Sequence, residues 1–269
     1  MSMNHVTIDF KALEAFYIQL SPEGSESPSF IMPAADFLDP NATREALLFS
    51  GHIYKSIGFE LAASLIGTTL FRLCAGTMVI MARNGVVPDL SLDNLELQID
   101  DLGQFAGFGF RIREVITTAL PDDPESRESS VREALKQLFE HTIRPAVQGI
   151  AAAAGVKPGI IWNQAGSLMI SFSNSLASKE SDPEALARFK VYQSVLTEQL
   201  SGELFGSRRN PFAHNPRYID SPYQAGGRLI VRSGCCMFYC RENGEKCYNC
   251  PKLTDEQREE HRLKIVGAS

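Results

Sequence analysis

The chain of 269 residues is 44% hydrophobic and 22% charged, with a formal net charge of −6, an ordinary globular composition with apolar material for a sizeable core. An acidic total, with no aromatic residues interleaved in a basic stripe, argues against nucleic-acid binding. No basic segment followed by an apolar run and a small-residue cleavage site opens the sequence, so a cytoplasmic protein is the expectation.

In chain order, residues 6–20 predict a short helix, and Ser21–Pro33, rich in Ser, Pro and Gly, a loop. Asn41 or Thr43 is placed to cap the next helix, in which Leu47, Leu48, Ile53 and Tyr54 recur at helical spacing. A longer, more apolar helix follows from about Phe59 and stops at Asn84-Gly85, with Pro88 just beyond. A membrane span needs about 18–20 clean apolar residues, whereas Arg72 splits the stretch Leu61–Ala82 and Glu60 and Arg83 bound it. It reads as a buried core helix. No transmembrane segment is expected, and peripheral membrane association is left open. Cys74, alone in this helix, reads as a small buried hydrophobe.

The period then changes. Leu95, Leu97 and Ile99, and again Phe108, Phe110 and Ile112, alternate with other residues on either side of a turn, predicting a β-hairpin near 92–113. After a polar connection, Pro121–Glu128, Ser130 and Glu133 form a candidate capping box for a helix that Pro145 should kink or restart. Lys157-Pro158-Gly159 ends it. Further helices are predicted over Ile160–Leu176 and, opened by Asp182-Pro183, to about Leu204. A loop rich in Gly, Pro, Asn and Arg covers 206–227, a strand Arg228–Ser233, and a second capping box, Thr254 with Gln257, opens a charged terminal helix. The expected fold is α+β, mainly α-helical with a small antiparallel β component. Its expected organisation is a helical body over 1–204 and, over 205–269, a basic loop, short strand and cysteine-rich C-terminal module.

Five of the six cysteines fall between Cys235 and Cys250, which in a reducing compartment points to a metal more than to disulfides. The spacing is C-C, ten residues, then C-x-x-C, through Cys235, Cys236, Cys247 and Cys250. A C-x-x-C turn brings two thiolates onto one metal with backbone N–H groups free to donate to sulfur. Side chains of adjacent residues in an extended chain point apart, so Cys235 and Cys236 reach a cluster of several metal atoms more easily than one ion. A zinc knuckle stays open as an alternative, with Cys236 and Cys240 as its second hook. No histidine lies among these cysteines, which disfavours a Rieske centre. Between Phe205 and Cys250, seven basic residues face three acidic ones, leaving −10 on the remainder of the chain.

With this motif the chain resembles the FhuF-type ferric-siderophore reductases. The resemblance extends to Ile161, Trp162 and Asn163, to Asn210-Pro211 ahead of the adjacent cysteines, and to the order of apolar helices. It implies a [2Fe-2S] cluster on Cys235, Cys236, Cys247 and Cys250, with Cys240 as an additional thiol that could substitute for a ligand. It further implies one-electron reduction of a siderophore-bound ferric ion, with release of Fe(II) in the cytoplasm. The chain shows no G-x-G-x-x-G after a strand and no P-loop, so an external donor, a ferredoxin or flavoprotein, is the expected partner. Trp162, Arg208, Arg209, His214 and Arg217 are the candidate substrate-binding residues. The competing reading is a non-catalytic zinc or iron-sulfur module that binds a partner or senses iron.

Overall fold

The computed structural model describes residues 7–267. The first helix, α1 (Lys11–Glu14), is only four residues long: Tyr17 turns left-handed, at φ 59°, and the chain enters a strand, β1 (Leu20–Ser21). The helix expected over 6–20 is thus confined to its middle, with residue 6 outside the described residues. The loop expected over Ser21–Pro33 likewise ends in a strand, β2 (Phe30–Pro33).

Helix α2 (Pro40–Tyr54) is capped by Asp39, whose carboxylate accepts from Asn41 N at 2.8 Å. The cap lies ahead of both expected positions: Asn41 is the recipient, and Thr43 is buried, donating to Asp36 O at 3.0 Å. Pro40 in the first turn explains the shift, because its missing N–H costs nothing there. The long helix α3 (Glu60–Asn84) ends at Gly85, φ 67°, as its stop chemistry predicts. Among the described residues it alone is long and apolar enough to cross a membrane, yet 83% of its apolar window is buried inside the fold.

A short strand β3 (Val86–Pro88) leads to the predicted hairpin, β4 (Leu95–Asp101) and β5 (Ala106–Ile112), in which Leu97 faces Phe110. The hairpin recruits β1 alongside β5, in parallel, and β2 alongside β4, antiparallel, giving the order β1-β5-β4-β2. These two added strands overrode the local turn-rich composition: long-range pairing satisfies backbone groups that the sequence around them leaves unassigned. A strand β6 (Thr117–Ala119) pairs with β3.

Helix α4 (Pro124–Leu138) begins at Asp123, which accepts from Ser126 N at 2.8 Å, about two turns ahead of the expected Ser130–Glu133 box; Ser130 instead donates within the helix. Pro145 does restart the helix. A π-turn over Phe139–Ile143 absorbs the missing hydrogen bond, and α5 (Arg144–Ala154) continues. The helix expected over Ile160–Leu176 is two, α6 (Gly159–Trp162) and α7 (Ala165–Lys179). The next, α8 (Pro183–Ser194), is capped by Asp182 as predicted but passes through a π-turn, Val195–Gln199, and a 3-10 turn, Gly202–Phe205. An antiparallel ribbon, β7 (Tyr218–Asp220) and β8 (Arg228–Ile230), precedes the cysteines, and α9 (Asp255–Gly267) follows them.

The hydrophobic core is built around α3, against which α2, α5, α6, α7 and α8 pack. Small residues let it be surrounded on all sides. A Cβ on Gly67 would lie 2.5 Å from the side chain of Ile161, so α6 approaches only because that position is glycine. The break at Asn163–Gln164 follows from the same need to bring α6 and α7 each onto α3.

Candidate metal centre

The cysteine segment is short of regular secondary structure and is positioned by polar contacts with the body. Ser64 of α3 donates to Cys236 O at 2.9 Å, and Gln164, between α6 and α7, donates to Ser64 Oγ at 2.9 Å, all buried. Ile57 N donates to Cys240 O and Glu242 N to Lys55 O, each at 3.0 Å, so the α2–α3 connection pairs with the loop between the two halves of the motif. On the far side Arg258 of α9, itself buried, donates to the carbonyls of Tyr248 and Cys250. Helix α9 is aimed by the predicted capping box, in which Thr254 and Gln257 exchange hydrogen bonds of 3.2 Å. Gly234, just before the cysteines, lies where a Cβ would be 2.7 Å from the Asn163 carbonyl, which locks the loop against the end of α6.

The four sulfurs of the motif meet as two pairs. Cys236 Sγ lies 3.8 Å from Cys247 Sγ, and Cys250 Sγ lies 3.6 Å from Cys235 Sγ. Adjacent side chains pointing apart are therefore used: each cysteine of the C-C step joins a different member of the C-x-x-C turn, which Cys250 N closes on Cys247 O at 2.9 Å. Met237 at φ 59° curls the chain after the C-C step, and the N–H groups of Met237 and Phe238 donate toward the sulfurs of Cys235 and Cys236.

Thiol acidity differs across the set. Cys236 is held well below the ordinary thiol range, first by the S–H of Cys247 donating to it and also, against the cost of burial, by the positive charge of Arg232. Cys247 is correspondingly raised by sharing its proton with Cys236, and burial pushes the Cys235 thiol up. A metal must displace these shared protons, as thiolate sites require.

Two thiolates on one tetrahedral metal with bonds of about 2.3 Å sit about 3.8 Å apart, close to both observed pairs. A single zinc ion would need all four sulfurs at that spacing. Among the described residues no three metal-ligating side chains are placed to hold one ion, and the close sulfur approaches are the two pairs. Cys240 belongs to neither pair. Its thiol is raised by burial and lies near Tyr239, Glu60 and Lys252.

Family models match residues 68–220, described as a ferric iron reductase FhuF-like transporter, and residues 232–252, described as a FhuF 2Fe-2S C-terminal domain. The first alone spans more than half of the 269 residues. The chain belongs to the FhuF-like ferric iron reductase family. No curated protein matches the chain. The family's C-terminal domain covers both thiol pairs and points to an iron-sulfur cluster there.

The weaker elements of the FhuF resemblance prove to be joints of the fold. Ile161 fills the space that Gly67 leaves, and the Asn163 backbone abuts Gly234. Asn210 donates to Leu196 O and Leu200 O, at 2.6 and 3.0 Å, terminating the π-turn after α8. Trp162 is buried in an aromatic cluster, its ring 5.3 Å from Phe71 and 5.4 Å from Phe205. It nonetheless borders a cavity of about 640 Å³ with Arg208, Arg209 and His214, so four of the five candidate substrate residues do converge. Burial lowers the His214 pKa, and its Nε2 has no hydrogen-bond partner among the described residues. Arg217 lies elsewhere, in an exposed 3.6 Å ion pair with Asp255 of α9. The 640 Å³ cavity stops at Ser233 and is lined by no cysteine.

A second cavity, of about 480 Å³, is lined by Cys236 and Cys247 and also by Arg232 and Arg72. Sequence reasoning did not nominate Arg72, Ser64, Gln164 or Arg258. The one available signal was Arg72 itself, a lone charge within an otherwise apolar helix.

Proposed function

We propose that this FhuF-like protein is a cytoplasmic ferric-siderophore reductase, with a [2Fe-2S] cluster held by Cys235 and Cys250 on one iron and Cys236 and Cys247 on the other. The observation that carries the reading is the two-by-two pairing of the sulfurs, which suits a binuclear centre better than one zinc ion. A [2Fe-2S] cluster bound by these cysteines would supply the single electron that converts chelated Fe(III) to Fe(II), with an external ferredoxin or flavoprotein as the source of that electron.

The chain's own residues do the rest. Arg232 offsets negative charge on the thiolates, which favours the reduced, more negative state. Backbone N–H groups of Met237 and Phe238 donate to sulfur with the same effect. Ser64, Gln164 and Arg258 hold the loop so that these donors need not reorganise during electron transfer. Ferric iron is hard and tightly held by hydroxamate or catecholate oxygens, so reduction loosens the chelate and serves as the release step.

The test is anaerobic purification followed by reduction with dithionite and mixing with ferric siderophores. Red-brown protein, a one-electron paramagnetic signal on reduction, and loss of that signal as Fe(II) appears are the expected results. Cys247→Ser should be colourless. Stoichiometric zinc in colourless wild-type protein would overturn the assignment, and a reducible cluster that converts no ferric chelate would leave the binding or sensing reading in its place.

A further inference from the structure

The cavity at Cys236 and Cys247 presents a charge problem. Its wall carries two arginines, Arg72 and Arg232, and no aspartate or glutamate. Neither arginine forms an ion pair among the described residues. Arg232 has a role in the proposed function, since its charge acts on Cys236 and Cys247. Arg72 has none. It projects from the middle of α3, the most buried helix, where an arginine costs desolvation, and burial lowers its pKa. The titratable group it meets is the Tyr54 phenol, itself stacked edge-on against Phe238 of the cysteine loop. Its side chain also borders a separate cavity beside β5, where Glu14, Glu26 and Asp100 stand, none of them in ion-pair contact with it.

A half-buried guanidinium without a counter-ion, in a cavity ending at two of the cluster's sulfurs, is arranged for an anion supplied from outside. Around it stand neutral hydrogen-bonding groups, Thr68, Ser167, Ser171 and Asn249. The other cationic cavity, at Arg208 and Arg209, is separated from sulfur by the Ser233–Gly234 wall, where Ser233 Oγ donates to Ser167 Oγ at 3.0 Å.

Resting on the reductase reading, we infer that the Arg72–Arg232 cavity is the seat of the electron acceptor and that it selects ferric chelates with a net negative charge. A ferric ion wrapped by three hydroxamates is neutral, whereas carboxylate- or catecholate-bearing chelates remain anionic. The anionic class meets a like-charged thiolate cluster, and arginines between the two remove that repulsion. Arg72 binds the outer oxygens of the chelate, and Arg232 stands between chelate and sulfur.

Gallium(III) complexes test this without any redox step, because gallium copies the charge and geometry of the ferric ion but is not reduced. Calorimetric titration of the oxidised, cluster-loaded protein is expected to show tighter binding of a carboxylate- or catecholate-bearing gallium complex than of a neutral trishydroxamate one. Arg72→Met should weaken the anionic complex by about ten- to hundredfold and leave the neutral one unchanged. Arg72→Lys should restore part of the loss, having the charge but not the planar fork. Should Arg72→Met fail to fold, Ser171→Glu, at an exposed position on the same wall, places a negative charge in the cavity and should abolish anionic binding. The double variant Arg208→Gln, Arg209→Gln should retain the preference. Equal affinity for both classes, or anionic binding indifferent to Arg72→Met or Ser171→Glu, overturns the inference. Failure to reduce ferric chelates, with gallium binding intact, counts against the reductase reading alone.

Discussion

Cys240 and Ser64 show how individual residues divide the labour of the cysteine loop. Five cysteines are close in sequence, but only four have their sulfurs in pairs, and Cys240 instead contributes its carbonyl to the α2–α3 connection. Cys240→Ser should therefore retain the visible absorbance and iron content of the wild type, whereas Cys236→Ser should lose both. Iron analysis of the two purified variants decides it. Ser64 carries two buried hydrogen bonds, to the Cys236 carbonyl and from Gln164. Ser64→Ala takes the side-chain donor from the Cys236 carbonyl and leaves Gln164 only its bond to Ile160 O, and should cost about 1–3 kcal/mol in urea unfolding. These roles had no sequence signal, since a serine in an apolar helix carries no sign of what will dock on it. The metal-binding character of the loop, by contrast, was plain from thiol spacing.

At the scale of elements, what could be read locally was where helices stop. Gly85, Asp182-Pro183 and the Thr254–Gln257 box each end or begin a helix as predicted, because cap chemistry is decided within a few residues. The caps of α2 and α4 were misplaced for the same local reason: Asp39-Pro40 and Asp123-Pro124 are stronger signals than the hydroxyl and amide residues downstream. The two-residue strand β1 and the strand β2 were illegible because they exist only by pairing with a hairpin far along the chain. Close packing between elements is equally invisible locally. At Gly149 of α5 a Cβ would lie 1.8 Å from the backbone oxygen of Phe37. Gly149→Ala must force the two segments apart and should cost about 3 kcal/mol, measured by thermal or urea unfolding.

For the whole molecule, the cysteine loop is held to the helical body by a few directed hydrogen bonds, while its four paired thiols all lie within the loop itself. Chelating the iron should then raise hydrogen exchange and proteolysis over residues 232–252 while the amides of α3 stay protected. Exchange rising in α3 together with the loop would show instead that the body itself depends on the cluster. The sequence by itself determined that four thiols and an apolar α+β body belong to one chain, because thiol spacing and hydrophobic period are properties of neighbours. Only the tertiary structure decided which sulfur pairs with which and that Arg72 of the core helix shares a cavity with Cys236 and Cys247. Those relations join residues far apart in the chain, and packing around α3 is what brings them together.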